Sequence, residues 1–204
     1  RGLCRSDFFL STRQPLTYTL RLVLGARFGP QNGRQDLLSQ ITFDKTSAAG
    51  FRFAIVVSRW NEELTTSLKN GAKRALLESG TPEDSFEVFF VPGAFELPLA
   101  AKKAAETARF DAVIALGVVI RGDTPHFDFV AGQASAGIMQ ASLSTGVPIM
   151  FGVVTTNSLE QAVARCGNNN GNKGFEAALS AIEVATLFRN MRDEGQGRVS
   201  PHVA

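Results

Sequence analysis

The ten residues "DAVIALGVVI", positions 111–120, carry one charge, at the first position, and are otherwise apolar side chains and a glycine. A half-buried strand alternates apolar and polar residues, so a run this uniform must be covered on both faces. Three more short runs share the character: "FRFAIVV" from Phe51, "SFEVFFV" from Ser85 and "PIMFGVV" from Pro148. Each run gives way to a helical pattern. After the first, Leu64, Leu68, Ala72, Ala75 and Leu76 recur at helical spacing until Gly80-Thr81-Pro82 stops them. An alanine-rich helix is expected from about Glu96 to Thr107. Ser158 and Gln161 form a capping box ahead of "LEQAVARC", and "GFEAALSAIEVATLFRNM" reads as a long last helix. Apolar strands alternating with helices imply an α/β fold, a three-layer α/β/α sandwich around a mainly four-stranded parallel sheet.

Composition narrows the function classes. With 204 residues, 44% of them hydrophobic and 20% charged, the chain can bury a sizeable core. The net charge of +2 is spread along the sequence, which offers no basic stripe for nucleic acid. No apolar run approaches the roughly 20 residues of a membrane span. The two cysteines, Cys4 and Cys166, lack any metal or redox spacing, so neither a disulfide framework nor a metal site is expected. Residues 1–50 are rich in scattered arginine, serine and threonine and follow no sustained period. They are expected to be an extension, disordered, artefactual or targeting, ahead of a domain at residues 51–192 and a tail at 193–204. The cytoplasm is the expected location, or a plastid if the extension is a transit peptide.

Ligands of parallel sheets bind at the carboxyl ends of the strands, and those ends hold a consistent set of residues. The first strand ends at Ser58-Arg59-Trp60-Asn61, the second at Pro92-Gly93-Ala94-Phe95-Glu96. The third ends at Val119-Ile120 and the loop "RGDTPH", and the fourth contains Phe151 and ends near Thr155-Thr156. Aromatic faces suit a planar ring, amides and hydroxyls suit a polyol, and His126 supplies an imidazole, the side chain fitted to proton transfer near neutral pH. Each residue also has a plainer reading: Trp60 as a core edge, Glu96 as a first-turn helix acid, His126 as an ordinary loop histidine. Their convergence on one edge favours a site. Arg121-Gly122-Asp123 also matches an adhesion tripeptide, but a buried strand leads into it and nothing suggests secretion.

A second constellation is "RCGNNNGNKGFEAA", with Arg165 before a glycine- and asparagine-rich loop and Lys173 inside it. It opens a helix whose N-H groups could meet an anion. It is not a Walker A loop, because Gly174 follows Lys173 where serine or threonine is required. A phosphate site and a flexible turn are equally compatible with it.

The blocks "SRWN", "VPGAFELPLAAKKAA", "FDAVIALGVVIRGDTPHFDFVA", "TGVPIMFGVVTT" and "GNKGFEAALSAIEVA", in this order, closely resemble the 6,7-dimethyl-8-ribityllumazine synthase family. The resemblance spans roughly Phe51 to Arg192. It implies the flavodoxin-like form of the sandwich and a cofactor-free reaction of riboflavin biosynthesis. In that reaction 5-amino-6-(D-ribitylamino)uracil and 3,4-dihydroxy-2-butanone 4-phosphate condense to the lumazine, phosphate and water. It implies His126 as general acid/base and Trp60 stacked on the pyrimidine, where many relatives have phenylalanine. Asn61, Ala94, Phe95, Glu96, Val119 and Ile120 would hold ring and ribityl chain. Arg165 would bind phosphate together with the backbone of Gly122, Asp123 and Thr124. Phe151 and Lys173 would come from a neighbouring subunit, and Asn169 stands where relatives often carry lysine. The implied partners are small-molecule substrates, other copies in a pentamer or a 60-mer shell, and riboflavin synthase. The alternative is a non-catalytic lumazine- or riboflavin-binding or shell-forming protein of the same fold. Such a protein has no need of His126 and Arg165 together.

Overall fold

A computed structural model describes residues 47–168 and 171–196. The expectations for residues 1–46, Asn169 and residues 197–204 lie outside the described residues. The chain runs β1 (Phe53–Ser58), α1 (Glu62–Glu78), β2 (Phe86–Val91), α2 (Leu97–Glu106), β3 (Ala112–Ile120), α3 (His126–Thr145), β4 (Ile149–Thr156), α4 (Leu159–Cys166) and α5 (Lys173–Gln196). Strand order is β2-β1-β3-β4, and every pairing is parallel, with Phe53 beside both Phe86 and Ala112 and Ile120 beside Thr156. The four-stranded parallel sheet of a flavodoxin-like sandwich is therefore the architecture.

The uniform apolar runs have the explanation their composition demands. All six residues of β1 and the first seven of β3 are buried, because helices cover both faces. Phe53, Ile55 and Val57 meet Leu68 and Leu76 of α1 and Ala178 and Ile182 of α5. Ala54 and Val56 point the other way, toward Leu97 and Ala101 of α2 and Ile138 of α3. Burying each large aliphatic side chain contributes about 1.5–3 kcal/mol. Ala48, ahead of β1, is also buried, and its N-H donates to the Ser79 carbonyl oxygen at 2.8 Å.

Local signals are realised with small shifts. A short 3-10 turn, Ala94–Glu96, precedes α2, because Pro98 sits in the first helical turn and the Glu96 carboxylate accepts from the Gly93 N-H at 2.9 Å. At α4 the Ser158 hydroxyl accepts from the Gln161 N-H at 3.4 Å, but the Gln161 side chain reaches the N-H of Asn157, one residue earlier than a reciprocal capping box requires. Helices α1 and α5 touch backbone to backbone: a Cβ on Gly174 would lie 2.0 Å from the Leu68 carbonyl oxygen.

Candidate active site

Strand β1 lies inside the sheet, so the chain leaves it toward β2 on one side while β3 flanks the other. Above the β1 and β3 carboxyl ends this opens a crevice, the usual ligand position in such sheets. Asn61, one step beyond Trp60, adopts the left-handed conformation (φ 61°, ψ 50°) and donates from Nδ2 to the Val118 carbonyl oxygen at 3.0 Å. Asparagine tolerates this backbone better than most residues.

A cleft of about 390 Å³ occupies the crevice. Trp60 and Asn61 enter it from β1, Ala94 and Phe95 from β2, and Val119, Ile120, Gly122, Thr124 and His126 from β3 and its loop. Trp60 is 74% exposed and Phe95 57%, an unusual state for large aromatics and one suited to stacking on a planar ligand. Gly93, Val118, Phe127 and Val130 complete the lining; the sequence reading did not single them out as ligand residues. Val130 was within reach of it, one helical turn after His126 on the same face. Glu96 and Asp123 do not line the cleft. The Glu96 carboxylate is engaged by Gly93, whose backbone forms part of the wall.

The loop between β3 and α3 delivers His126 as the first residue of α3. Ahead of it, the Arg121 guanidinium forks onto Asp128, with Nη1 at 3.1 Å from Oδ2 and Nη2 at 2.7 Å from Oδ1. The fork holds the Asp128 carboxyl below the usual carboxylate range, against a smaller opposing effect of desolvation, and raises Arg121 in return. The arginine of the adhesion-like tripeptide is thus occupied inside its own domain.

Phe151, Arg165 and Lys173 line a second cavity, of about 310 Å³, along β4, which is an edge strand. None of its lining residues belongs to the first cleft. Arg165 donates to the Gln161 carbonyl oxygen in its own helix at 2.9 Å, and Lys173 pairs with Glu176 at 2.7 Å. Glu176, also in the lining, is a further residue that the sequence reading passed over. The N-H groups of Gly174, Phe175 and Glu176 at the start of α5 are taken up by Asn172, the last through the Asn172 carbonyl oxygen. Asn172, 1% exposed, accepts from Gly174 and Phe175 with Oδ1 at 2.9 and 3.0 Å, while its Nδ2 donates to the Cys166 and Gly167 carbonyl oxygens. One neutral amide joins the end of α4 to the start of α5, so the charges available to an anion here are those of the Arg165 and Lys173 side chains in the cavity lining. No cluster of three or more metal-ligating side chains occurs among the described residues.

Fold and cleft together define a flavodoxin-like α/β protein with an aromatic-walled crevice and an imidazole at the carboxyl edge of its sheet. A family model for 6,7-dimethyl-8-ribityllumazine synthase matches residues 50–189. The chain is 55% identical over 145 residues to the 6,7-dimethyl-8-ribityllumazine synthase of Chlorobium luteolum, an alignment covering 71% of this chain and 94% of that protein. Identity to the enzyme of the same name from Chlorobium chlorochromatii is 54%, with the same coverage. The chain belongs to the 6,7-dimethyl-8-ribityllumazine synthase family.

Proposed function

We propose that this protein condenses 5-amino-6-(D-ribitylamino)uracil with 3,4-dihydroxy-2-butanone 4-phosphate to form 6,7-dimethyl-8-ribityllumazine, phosphate and water. Membership of the family supports the reaction. The site reading rests above all on one observation, the convergence of Trp60, Phe95 and His126 on a single cleft at the β1/β3 edge. In this reading Trp60 stacks on the pyrimidine. Asn61, Ala94, Phe95, Val119 and Ile120 surround ring and ribityl chain, while Glu96 shapes the wall through Gly93.

The chemistry asks little of any one group. The 5-amino group of the uracil attacks the ketone and an imine forms with loss of water; phosphate departs by elimination, and after tautomerisation the ribitylamino nitrogen closes the ring on the remaining carbonyl with loss of a second water. Holding both substrates together supplies much of the rate through effective molarity. His126, carrying protons between the reacting nitrogen and oxygen atoms, adds roughly 10²–10⁴-fold. The N-H groups of Gly122, Asp123 and Thr124, with Arg165, hold the phosphate and ease its departure.

Phe151, Arg165 and Lys173 belong to the half of the site that a neighbouring copy supplies, since in one chain they line a different cavity along an edge strand. Arg165 therefore joins Phe151 and Lys173 on the donated side. A further sign of assembly is α3, whose 20 residues include no lysine or arginine and expose Phe129, Met139 and Leu143 at 67%, 62% and 77%. The assembly is at least a pentamer, with a shell of twelve pentamers as its larger form. Riboflavin synthase, which consumes the lumazine, is the partner enzyme, and the cytoplasm is the compartment. The described helices include none long and apolar enough to cross a membrane.

Incubating the full chain with both substrates tests the reaction: lumazine fluorescence should rise with one phosphate released per product. Substrate binding without phosphate release would instead support a binding protein of the same fold.

A further inference from the structure

The loop from Arg121 to Pro125 carries the backbone assigned to phosphate and delivers His126, yet its own backbone does little to hold it. All five residues are exposed, and the N-H groups of Gly122, Asp123 and Thr124 meet no acceptor among the described residues. Such N-H groups suit an anion only if the loop keeps one shape.

Contacts of one residue, Arg121, supply that shape. The Arg121 N-H donates to the Thr156 carbonyl oxygen at 2.8 Å, which pins the start of the loop to β4. Its guanidinium crosses the loop and forks onto Asp128 in the first turn of α3. Nε donates to Asn157 Oδ1 at 3.2 Å, just past β4. The same group lies 4.2 Å from the centroid of the Phe127 ring, and Phe127 lines the cleft. Arg121 thus links β3, α3, the β4 turn and one cleft wall.

Stability is a poor account of this arrangement. The two side chains are 40% and 59% exposed, and ion pairs so exposed add little. A forked guanidinium does fix distance and plane together. We propose that Arg121, acting through Asp128, is a positioning residue that holds the His126 imidazole and the Gly122 to Thr124 backbone in their working geometry. The proposal rests on the reading of His126 and this loop given above. Lysine at position 121 would keep the charge and lose the fork, the stacking plane and the Asn157 contact.

The test is steady-state kinetics of the full chain with both substrates. The variants are Arg121→Lys, Asp128→Asn, the two single alanine replacements and the Arg121→Ala/Asp128→Ala double replacement. Since a misplacement of about 1 Å can cost about 10²-fold, each single variant should lower kcat by roughly ten- to a hundredfold. KM should rise for the butanone phosphate and stay put for the ribitylaminouracil, and the double variant should be no worse than either single alanine variant. Melting temperature and assembly mass should match wild type. Wild-type kcat in Asp128→Asn, or full rescue by Arg121→Lys, would overturn the proposal. Equal loss of affinity for both substrates with a lowered melting temperature would also overturn it, by marking the pair as structural. A wild-type chain that forms no lumazine would overturn the reaction itself, and the proposal with it, before any variant is made.

Discussion

Asn61 follows β1 and Val118 lies within β3, yet the Asn61 side-chain amide donates to the Val118 carbonyl oxygen at 3.0 Å. The bond straps the two strands together at the base of the cleft. Asn61 is the N-cap of α1 by position, but its amide is spent on this strap and makes no cap bond to its own helix. Tertiary demand has overridden the local preference of asparagine for capping.

The strap predicts a graded stability series. Asn61→Ala loses a hydrogen bond and leaves in the left-handed region a residue that tolerates it less well than asparagine, about 1–3 kcal/mol in all. Asn61→Gly should recover the backbone share and remain below wild type. Denaturant midpoints measure both. Equal midpoints for alanine and glycine would show that φ at this position carries no cost.

Trp60, 74% exposed and the only tryptophan of the chain, gives a direct optical readout of the cleft. Titration with the lumazine product should quench its fluorescence through stacking. Trp60→Ala should weaken ligand binding by about 1–3 kcal/mol, by analogy with stacked bases. An emission spectrum unchanged at saturating ligand would remove Trp60 from the site.

Kinetic dissection separates proton transfer from phosphate binding. His126→Ala should lower kcat about ten- to a thousandfold, since water can still carry protons between positioned substrates. Arg165→Ala should raise KM for the butanone phosphate and spare the ribitylaminouracil. Arg165 also braces α4 through the Gln161 carbonyl oxygen, and equal weakening of both substrates would assign it that structural task alone.

The strands were the most legible part of the fold because burial on both faces leaves a local mark: in β1 and β3 nearly every residue must be apolar. The 3-10 turn before α2 was not, since it depends on how the Glu96 carboxylate folds back onto Gly93. In the cleft, residues at strand ends could be read because parallel sheets put ligands there. Arg121 and Asp128 could not be paired from the sequence: their fork depends on the course of the loop between them, and seven residues of separation span no single regular element. The loop before α5 was ambiguous for a related reason. Its glycines and asparagines look like an anion cradle, but Asn172 folds inward to cap two helices, and a Cβ on nearby Gly71 would lie 2.2 Å from its Oδ1. Close approach of that kind is written in distant contacts.

Cys166 should give stability a pH dependence on the alkaline side. Burial pushes its thiol up to about 11, with Arg165 pulling the other way. An unfolded cysteine ionises near 8.5, so above that pH the folded state holds the proton that the unfolded state releases. Stability should therefore be unaffected below about 8.5 and fall as pH rises toward about 11. Denaturant midpoints of wild type and Cys166→Ala at rising pH isolate the effect, because other titrating groups are common to both. Parallel curves would refute it.

The separation of His126 from Lys173 within one chain leads to a test by mixing. If each site joins the cleft of one copy to the second cavity of the next, His126→Ala and Lys173→Ala each disable every site of a uniform assembly. Unfolded together in equal amounts and reassembled, they should regain activity. A site works only where a chain with intact His126 meets a neighbour with intact Lys173. In a closed ring with heterologous contacts, random mixing meets that condition at roughly a quarter of the interfaces. Activity near a quarter of the reassembled wild type is the expected result. A mixture no more active than the mean of its two parents would place both residues in a single subunit's site or outside it, and would remove the need for a neighbour.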